Sequence, residues 1–361
     1  MEKLSEKTWD EFPLEDVFTV SAGKRLETRN KVPGNRPFIG AAEGGNGVTG
    51  FVGNDNASRD SNVLGVNYNG APCIAFYHPY ECVFTDDVKR LHLKNYEDGS
   101  NVLLFFTEVF AGQRSKYSYG YKFKEKRMLR QKLMLPVNDS GEPDYEYMAE
   151  YTRQTREALL AKYRTYVEKR IAELGEAVEI PALNEKEWRK FKAFGTDGIL
   201  EIATTNSSID GIRLIDGNDD VLPYVTRSEA NNGVARFVSN QNKSYGIDQA
   251  GSITVGLDTQ TAYWQPHEFV TGQNIQVISG ERLNERSAQF LIPLFRMQMK
   301  AKFNWGGNGA TLTRMKTLDL LLPVNDSGEP DYEYMEQYAK NMMLRKYKQY
   351  MTFLEKKSQS E

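Results

Sequence analysis

The chain has 361 residues, 40% apolar and 26% charged, with a formal net charge of -3. That composition is globular, leaves room for two cored domains and gives no overall attraction to nucleic acid, so a DNA partner would need a local basic surface. Two cysteines (Cys73, Cys82) and three histidines (His78, His92, His267) argue against a disulfide framework or a multi-histidine metal site. With no signal-like apolar run and no membrane-length span, a cytoplasmic protein is expected.

Residues 8 to about 135 alternate short β-type runs with turn residues, as in Pro37-Phe38-Ile39, Thr49-Gly50-Phe51-Val52, Cys73-Ile74-Ala75-Phe76-Tyr77 and Cys82-Val83-Phe84. The run NVLLFFTEVFA, Asn101 to Ala111, is long enough for a buried helix, which makes the module α+β. Arg114 to Lys132 then carries eight Lys or Arg against one acid, Glu125, interleaved with Tyr117, Tyr119, Tyr121 and Phe123. Next comes LPVNDSGEPDYEYM, Leu135 to Met148. It reads as a strand end, an Asn138-Asp139-Ser140-Gly141 turn and a helix start, with Pro143 suited to the first helical turn. Between Pro143 and Gly175 there is no Gly or Pro, and Met148, Leu160, Tyr163, Val167, Ile171 and Leu174 recur mostly at spacings of three or four. This predicts a helix with a narrow apolar seam, roughly 48 Å long at ~1.5 Å per residue.

LPVNDSGEPDYEYM then returns at Leu322 to Met335, 187 residues on, so the chain is an internal duplication. Trp188 repeats Trp9, PYVTRSEANNGVARFV (Pro223 to Val238) aligns with PFIGAAEGGNGVTGFV (Pro37 to Val52), and Tyr263-Trp264-Gln265-Pro266 matches Phe76-Tyr77-His78-Pro79. KAKFNWGGNGATLTR (Lys300 to Arg314) again mixes cations with Phe303 and Trp305, and the final helix places Met335, Tyr338, Met342, Tyr347, Tyr350 and Leu354 on its seam. The organisation is a first module over 1–141, a long helix over 142–176 and a linker over 177–184. A second module over 185–328, a second long helix over 329–357 and a tail over 358–361 follow. Two modules on one frame with different surface residues predict two versions of one kind of ligand.

In this duplicated architecture and double helix start, with Leu133 to Val137 and Leu320 to Val324 leading into the helices, the sequence resembles the specificity subunit of Type I restriction-modification systems, including BcgI-like recognition subunits. The resemblance implies two α+β target-recognition domains, each followed by a long helix, the two helices pairing as an antiparallel coiled coil with pseudo-twofold symmetry. It also implies the partners: double-stranded DNA read as a bipartite asymmetric target, two adenine-specific DNA methyltransferase subunits, and a restriction or translocase subunit as an optional addition. A non-catalytic role without cofactor or metal follows. The alternative from the residues alone is a duplicated protein- or carbohydrate-binding module without nucleic-acid function.

Cations neutralise phosphates, and Arg or Asn can read base edges. In the basic-aromatic segments this selects Lys116, Tyr117, Tyr119 and Lys122, with Lys302, Asn304, Trp305 and Asn308 in the second module. A solvated face is the competing reading. Around the Asn-Gly turns the candidates are Asn46, Arg227, Asn231, Asn232 and Arg236, against pure turn chemistry. Lys24, Arg25 and Arg29 join them near the start. Glu43-Gly44-Gly45-Asn46-Gly47 lacks the Lys-Ser/Thr of a phosphate-binding loop, and its counterpart Glu229-Ala230-Asn231-Asn232-Gly233 loses two glycines. His78 between Cys73 and Cys82 lacks a fourth zinc ligand, so a structural role is expected. Asp144 and Glu146 sit at a helix start, where acids favour the dipole, rather than in a nuclease cluster. Tyr145, Tyr147, Tyr151, Tyr332 and Tyr334 suit either a subunit interface or packing against the preceding module.

Overall fold

The structure, a computed structural model, describes residues 3–117, 121, 123–303 and 309–358, and divides into two compact units, Met1–Thr165 and Tyr166–Glu361. The first unit runs β1 (Trp9–Pro13), α1 (Leu14–Val17), β2 (Phe18–Ala22), β3 (Arg36–Ile39), β4 (Val48–Val52), β5 (Val63–Asn67), β6 (Ala75–His78), β7 (Val83–Phe84), β8 (Val88–Leu93), α2 (Ser100–Ala111), α3 (Glu125–Leu129), β9 (Lys132–Pro136) and α4 (Tyr145–Leu174). An antiparallel sheet has the order β2-β8-β5-β6, a smaller sheet β4-β3-β7 contains the parallel pair β3–β7, and β1 pairs with β9. All five residues of β5 are buried, as a central strand covered on both faces requires. The ambiguous NVLLFFTEVFA run forms α2 because Val102, Leu103, Phe105, Phe106 and Phe110 bury themselves at helical spacing. Phe106 meets Phe18 edge-on at 4.7 Å.

The second unit repeats this plan with β10 (Trp188–Lys192), β11 (Glu201–Thr204), β12 (Leu222–Val225), β13 (Val234–Val238), β14 (Ser252–Gly256), β15 (Ala262–Gln265), β16 (Val270–Thr271), β17 (Ile275–Ser279), α5 (Glu285–Lys302), α6 (Leu312–Met315), β18 (Asp319–Pro323) and α7 (Tyr332–Ser358). Its sheets β11-β17-β14-β15, β13-β12-β16 and β10-β18 match those of the first unit strand for strand. The duplication seen in the sequence is therefore a duplication of topology. The units differ most in the helix after the large sheet: α5 has 18 residues where α2 has 12, and starts with a capping box between Asn284 and Ser287.

The repeated motif builds a joint between each module and its helix. Asn138 accepts on its carbonyl from Gly141 N (2.9 Å), while its side-chain oxygen takes the amides of Ser140 (3.0 Å) and Glu142 (3.1 Å). Gly141 closes the turn at φ 76° and Gly328 at 79°, the left-handed region that favours glycine. Asn325 repeats the side-chain contacts with Ser327 (3.0 Å) and Glu329 (3.1 Å). Contrary to expectation, Pro143 and Pro330 do not enter the helix: they bridge back to Val137 and Val324. The helices begin at Tyr145 and Tyr332, because Asp144 and Asp331 act as N-caps, each accepting the amide of the third helical residue (Tyr147 and Tyr334, both 3.0 Å). The same carboxylates bind Lys7 (2.8 Å) and Lys186 (2.7 Å), whose ammonium groups lie over the rings of Tyr147 (4.8 Å) and Tyr334 (5.0 Å). Trp9 and Trp188 complete the joint, donating to the carbonyls of Leu4 (3.0 Å) and Leu183 (2.8 Å).

At ~1.5 Å per residue, the 30 residues of α4 and 27 of α7 correspond to about 45 and 40 Å. Of the expected seam, Met148, Val167, Leu174, Met335 and Leu354 are buried, and Leu160, Ile171, Tyr338, Met342 and Tyr347 are half-buried. Tyr163 (38%) and Tyr350 (39%) are exposed instead. Ala339 and Leu344, absent from the expected seam, are buried. Within the second unit, residues 166–178 run antiparallel to 341–347. Tyr166 meets Tyr347 edge-on (6.5 Å), Arg170 binds Glu285 (2.6 Å), and the Asn341 amide pairs with both the N–H (3.1 Å) and the carbonyl (2.7 Å) of Val178. Tyr334 donates to the Pro181 carbonyl (2.9 Å), so the segment expected to be a plain linker is bonded to α7.

One cluster in the first unit makes stability depend on pH. His92 Nδ1 lies 2.6 Å from Asp98, and Nε2 lies 3.2 Å from Asp60, which also binds Arg90 (2.8 Å). The Asp98 hydrogen bond, aided by Asp60, raises the His92 pKa above its ordinary value against the opposing effect of burial. Stability from a raised pKa is fully present below the unfolded value of about 6.5 and is lost as pH rises through the folded value. Thermal unfolding of the wild type should therefore shift to lower temperature as pH rises above about 6.5. His92→Gln should flatten that dependence, and parallel pH curves for the two proteins would refute the assignment.

Candidate nucleic-acid interface

Three loops converge on one side of each unit. In the first, the turn 41–47 is tied to the start of the 68–72 loop by Asn67, whose side chain donates to the Ala42 carbonyl (3.0 Å). It is tied to residues 112–117, the start of the third loop, by Arg114 and Glu43 (2.9 Å). In the second, Arg227 of the 226–233 turn pairs with Asp258 of the 257–261 loop, and Ala310, in the third loop's described end at 309–311, donates to the Leu257 carbonyl (3.0 Å). The third loop is anchored from equivalent strands, by Lys89 of β8 bound to Glu125 and by Gln276 of β17, which donates to the Ala310 carbonyl (2.8 Å).

The segment that contains the third loop is rich in cations in both units, whereas the turn and second loop of the second unit carry Arg227 against Glu229 and Asp258. Arg114 to Lys132 carries eight cations and one acid, and Lys300 to Lys316 carries four cations and no acid. The loop leading into each small sheet is not alike: residues 24–36 hold five cations and one acid, whereas 210–221 hold four aspartates and one arginine. Among these stretches, the segment before the last strand is the one in which cations outnumber acids in both units, as contact with a phosphate backbone requires.

The sequence candidates divide accordingly. Lys116 is exposed on the three-loop side, its Nζ 2.6 Å from Gln113; Arg227, Asn231 and Asn232 are exposed on the matching turn, and Lys302 is exposed at the end of α5. Lys24, Arg25, Arg29 and Arg236 are exposed on the small-sheet side, with Arg29 paired to Glu27 (2.8 Å) and Arg236 to Asp216 (3.1 Å). Asn46 belongs to turn chemistry: it adopts φ 53°, as Asn232 does at 54°, and its amide donates to the Tyr80 hydroxyl (2.8 Å). Tyr117 is a packing residue, half-buried on Phe123 (4.6 Å), with its hydroxyl 2.5 Å from Gln131; burial pushes its pKa up to about 12. Tyr119, Lys122, Asn304, Trp305 and Asn308 lie outside the described residues.

Two arginines that sequence reading passed over bear on these segments. Arg127 of α3 stacks over the Tyr121 ring (3.8 Å), and Arg314 of α6 donates to the Gly309 carbonyl (3.0 Å). Each precedes a fully buried methionine, Met128 or Met315, that anchors its short helix in the core. The Arg-Met pair recurs at the 187-residue period, and that was the available signal. Arg296 stacks on Tyr263 (4.6 Å), whose hydroxyl donates to the Glu229 carbonyl of the turn (2.7 Å).

The joint tyrosines do not form an exposed docking surface. Tyr145, Tyr147 and Tyr332 are 8% exposed and Tyr334 is 6% exposed, each packed in its own unit, and Tyr151 is half-buried on Phe105 (6.2 Å). Their rings complete the core where each helix enters it. His78 is buried and pushed down to about 4, while burial pushes the free thiols Cys73 and Cys82 up to about 12. Among the described residues, no group of three His, Cys, Asp or Glu is placed to hold a metal ion, and no helix is long and apolar enough to cross a membrane.

The model of the Type I restriction modification DNA specificity domain matches the sequence twice, over residues 6–162 and 165–350. Over 151 residues the chain is 49% identical to the Type II restriction enzyme BgcI specificity subunit S.BcgI of Heyndrickxia coagulans, a match spanning 42% of this chain and 44% of that protein. Among solved structures, a Type I restriction-modification S subunit from M. genitalium aligns over 99% of this chain and 94% of its own, at 12% identity and a TM-score of 0.44. The HsdS subunit from Thermoanaerobacter tengcongensis aligns over 94% of this chain and 96% of its own, at 11% identity and a TM-score of 0.31.

Proposed function

The chain belongs to the family of Type I restriction modification DNA specificity domains, and on that premise we propose that it is the non-catalytic sequence-specificity subunit of a cytoplasmic restriction-modification complex. It binds a bipartite, asymmetric duplex target, one half-site per module (1–141 and 185–328), and recruits two adenine methyltransferase subunits, with a restriction or translocase subunit as a further partner. The observation that carries this reading is that both units keep one topology and a cation-rich segment before the last strand while the residues on the facing loops differ. One frame with two sets of loop residues suits two different half-sites. DNA half-sites one helical turn apart lie about 34–36 Å from each other, within the length of either long helix, so the helices serve as the ruler between readers.

The experiment is to purify the chain with its methyltransferase partner, measure duplex binding against salt, and map the methylated motif. With about six phosphates neutralised, affinity should fall on the order of a thousandfold between 50 and 200 mM salt, and the motif should be two short blocks with a fixed gap. A short continuous motif would sink the two-reader proposal. Salt-insensitive affinity for a neutral ligand, without DNA binding, would favour an interaction module instead.

A further inference from the structure

We infer that Glu43 and Asp258 are specificity-determining carboxylates, one in each unit, each aimed by an arginine at a base amino group of the half-site that its unit reads. This rests on the proposed role of the units as DNA readers. Glu43 adjoins the segment Arg114 to Lys124, which carries four cations and no acid, and Asp258 adjoins the uncharged segment 303–311, which Lys302 and Arg314 flank. Each pairs with an arginine of a different loop: Glu43 of the turn with Arg114 of the third loop at 2.9 Å, and Asp258 of the second loop with Arg227 of the turn. The acid sits on the turn in one unit and on the neighbouring loop in the other, so the arrangement is an ion pair across loops rather than an inherited position.

Neither pair is needed to hold the core. The side chains are 64% and 50% exposed for Glu43 and Arg114, and 29% and 43% for Asp258 and Arg227, and exposed ion pairs contribute little to stability. What such an acid does at a DNA surface is electrostatic. Phosphates approach with one negative charge per roughly 1.7 Å of duplex, so a carboxylate there is repelled unless it accepts a hydrogen bond from DNA. The amino groups on base edges, above all N4 of cytosine in the major groove, are the donors available. Opposite a keto oxygen the same carboxylate meets an acceptor and is left unpaired. The arginine fixes the carboxylate's direction through its planar fork, and the carboxylate in turn restrains the arginine from holding phosphate in registers where no amino group is present.

The test is selection from randomised duplexes by the chain in complex with its methyltransferase partner, comparing wild type with Glu43→Gln and Asp258→Asn. Glu43→Gln should reduce discrimination roughly tenfold or more at one position of the first unit's half-site, leave the other half-site unchanged and raise affinity for non-specific duplex. Asp258→Asn should do the same for the second half-site. If the wild type selects a bipartite motif and both variants select the identical motif with the same discrimination, the proposal is wrong while the DNA-reader reading stands. A uniform gain in affinity with no change at any position would also overturn it, since the acids would then only repel phosphate. A wild-type complex that selects no motif at all would remove both readings.

Discussion

Replacing Leu160 with proline should lower the unfolding free energy by about 3 kcal/mol or more and abolish recognition of the spaced target. Leu160 lies well inside the 30-residue α4, so proline removes a hydrogen bond to the preceding turn and drives its ring against that carbonyl. The boundary between the two units, after Thr165, falls inside this same helix. A kink at 160 should therefore disturb the spacing between half-sites without touching either three-loop side. Leu160→Ala is the control, because it keeps the helix and removes only half-buried apolar surface. Denaturant unfolding measures the first effect and motif mapping the second. A proline variant that methylates the wild-type motif with an unchanged gap would refute the ruler.

Asp144→Ala and Asp331→Ala should each cost about 2 kcal/mol, because one carboxylate does two things. It caps the helix through an amide at 3.0 Å, and it partners a lysine that is only 15% exposed at Lys7 and 18% at Lys186. Losing an N-cap costs about 1 kcal/mol, and stranding a mostly buried cation adds a comparable amount. For Asp331, burial works to raise the pKa, but Lys186 and the Tyr334 amide together hold it below the usual carboxylate value. Its contribution is therefore present above about pH 4 and is lost as pH falls through the depressed value. Asp331→Asn retains part of the cap without the charge and should fall between wild type and alanine in thermal unfolding. Equal stability of wild type and Asp331→Ala would refute the joint as a stabilising element.

Much of the architecture was legible because it was written twice. The constant 187-residue offset marked the duplication, the absence of Gly and Pro between Pro143 and Gly175 marked a long helix, and the apolar run from Asn101 became α2. The joint was misread by a residue or two, since proline before an acid suits both a first turn and an extended approach. What decided it was that the Asp144 side chain had both an amide and Lys7 to satisfy. The basic-aromatic segment was read as one surface, yet its side chains are sorted: Phe123 is fully buried and Tyr117 half-buried, while Arg114, Lys116 and Tyr121 stay outside. A chain segment beside a core sorts its side chains by transfer free energy, and alternation within a loop carries no fixed period from which to foresee that sorting.

By itself, then, the sequence determined that there are two modules of one α+β kind, each delivering its chain into a long helix through an identical turn, because repeats, turn chemistry and helical periodicity are local properties. Only the tertiary structure decided which charges share a surface. Glu43 meets Arg114 across 71 residues and Arg227 meets Asp258 across 31, contacts set by how strands stack and where loops return. It also decided that the joint tyrosines are core. Those outcomes depend on burial and on distances between segments far apart in the chain, which local pattern does not encode.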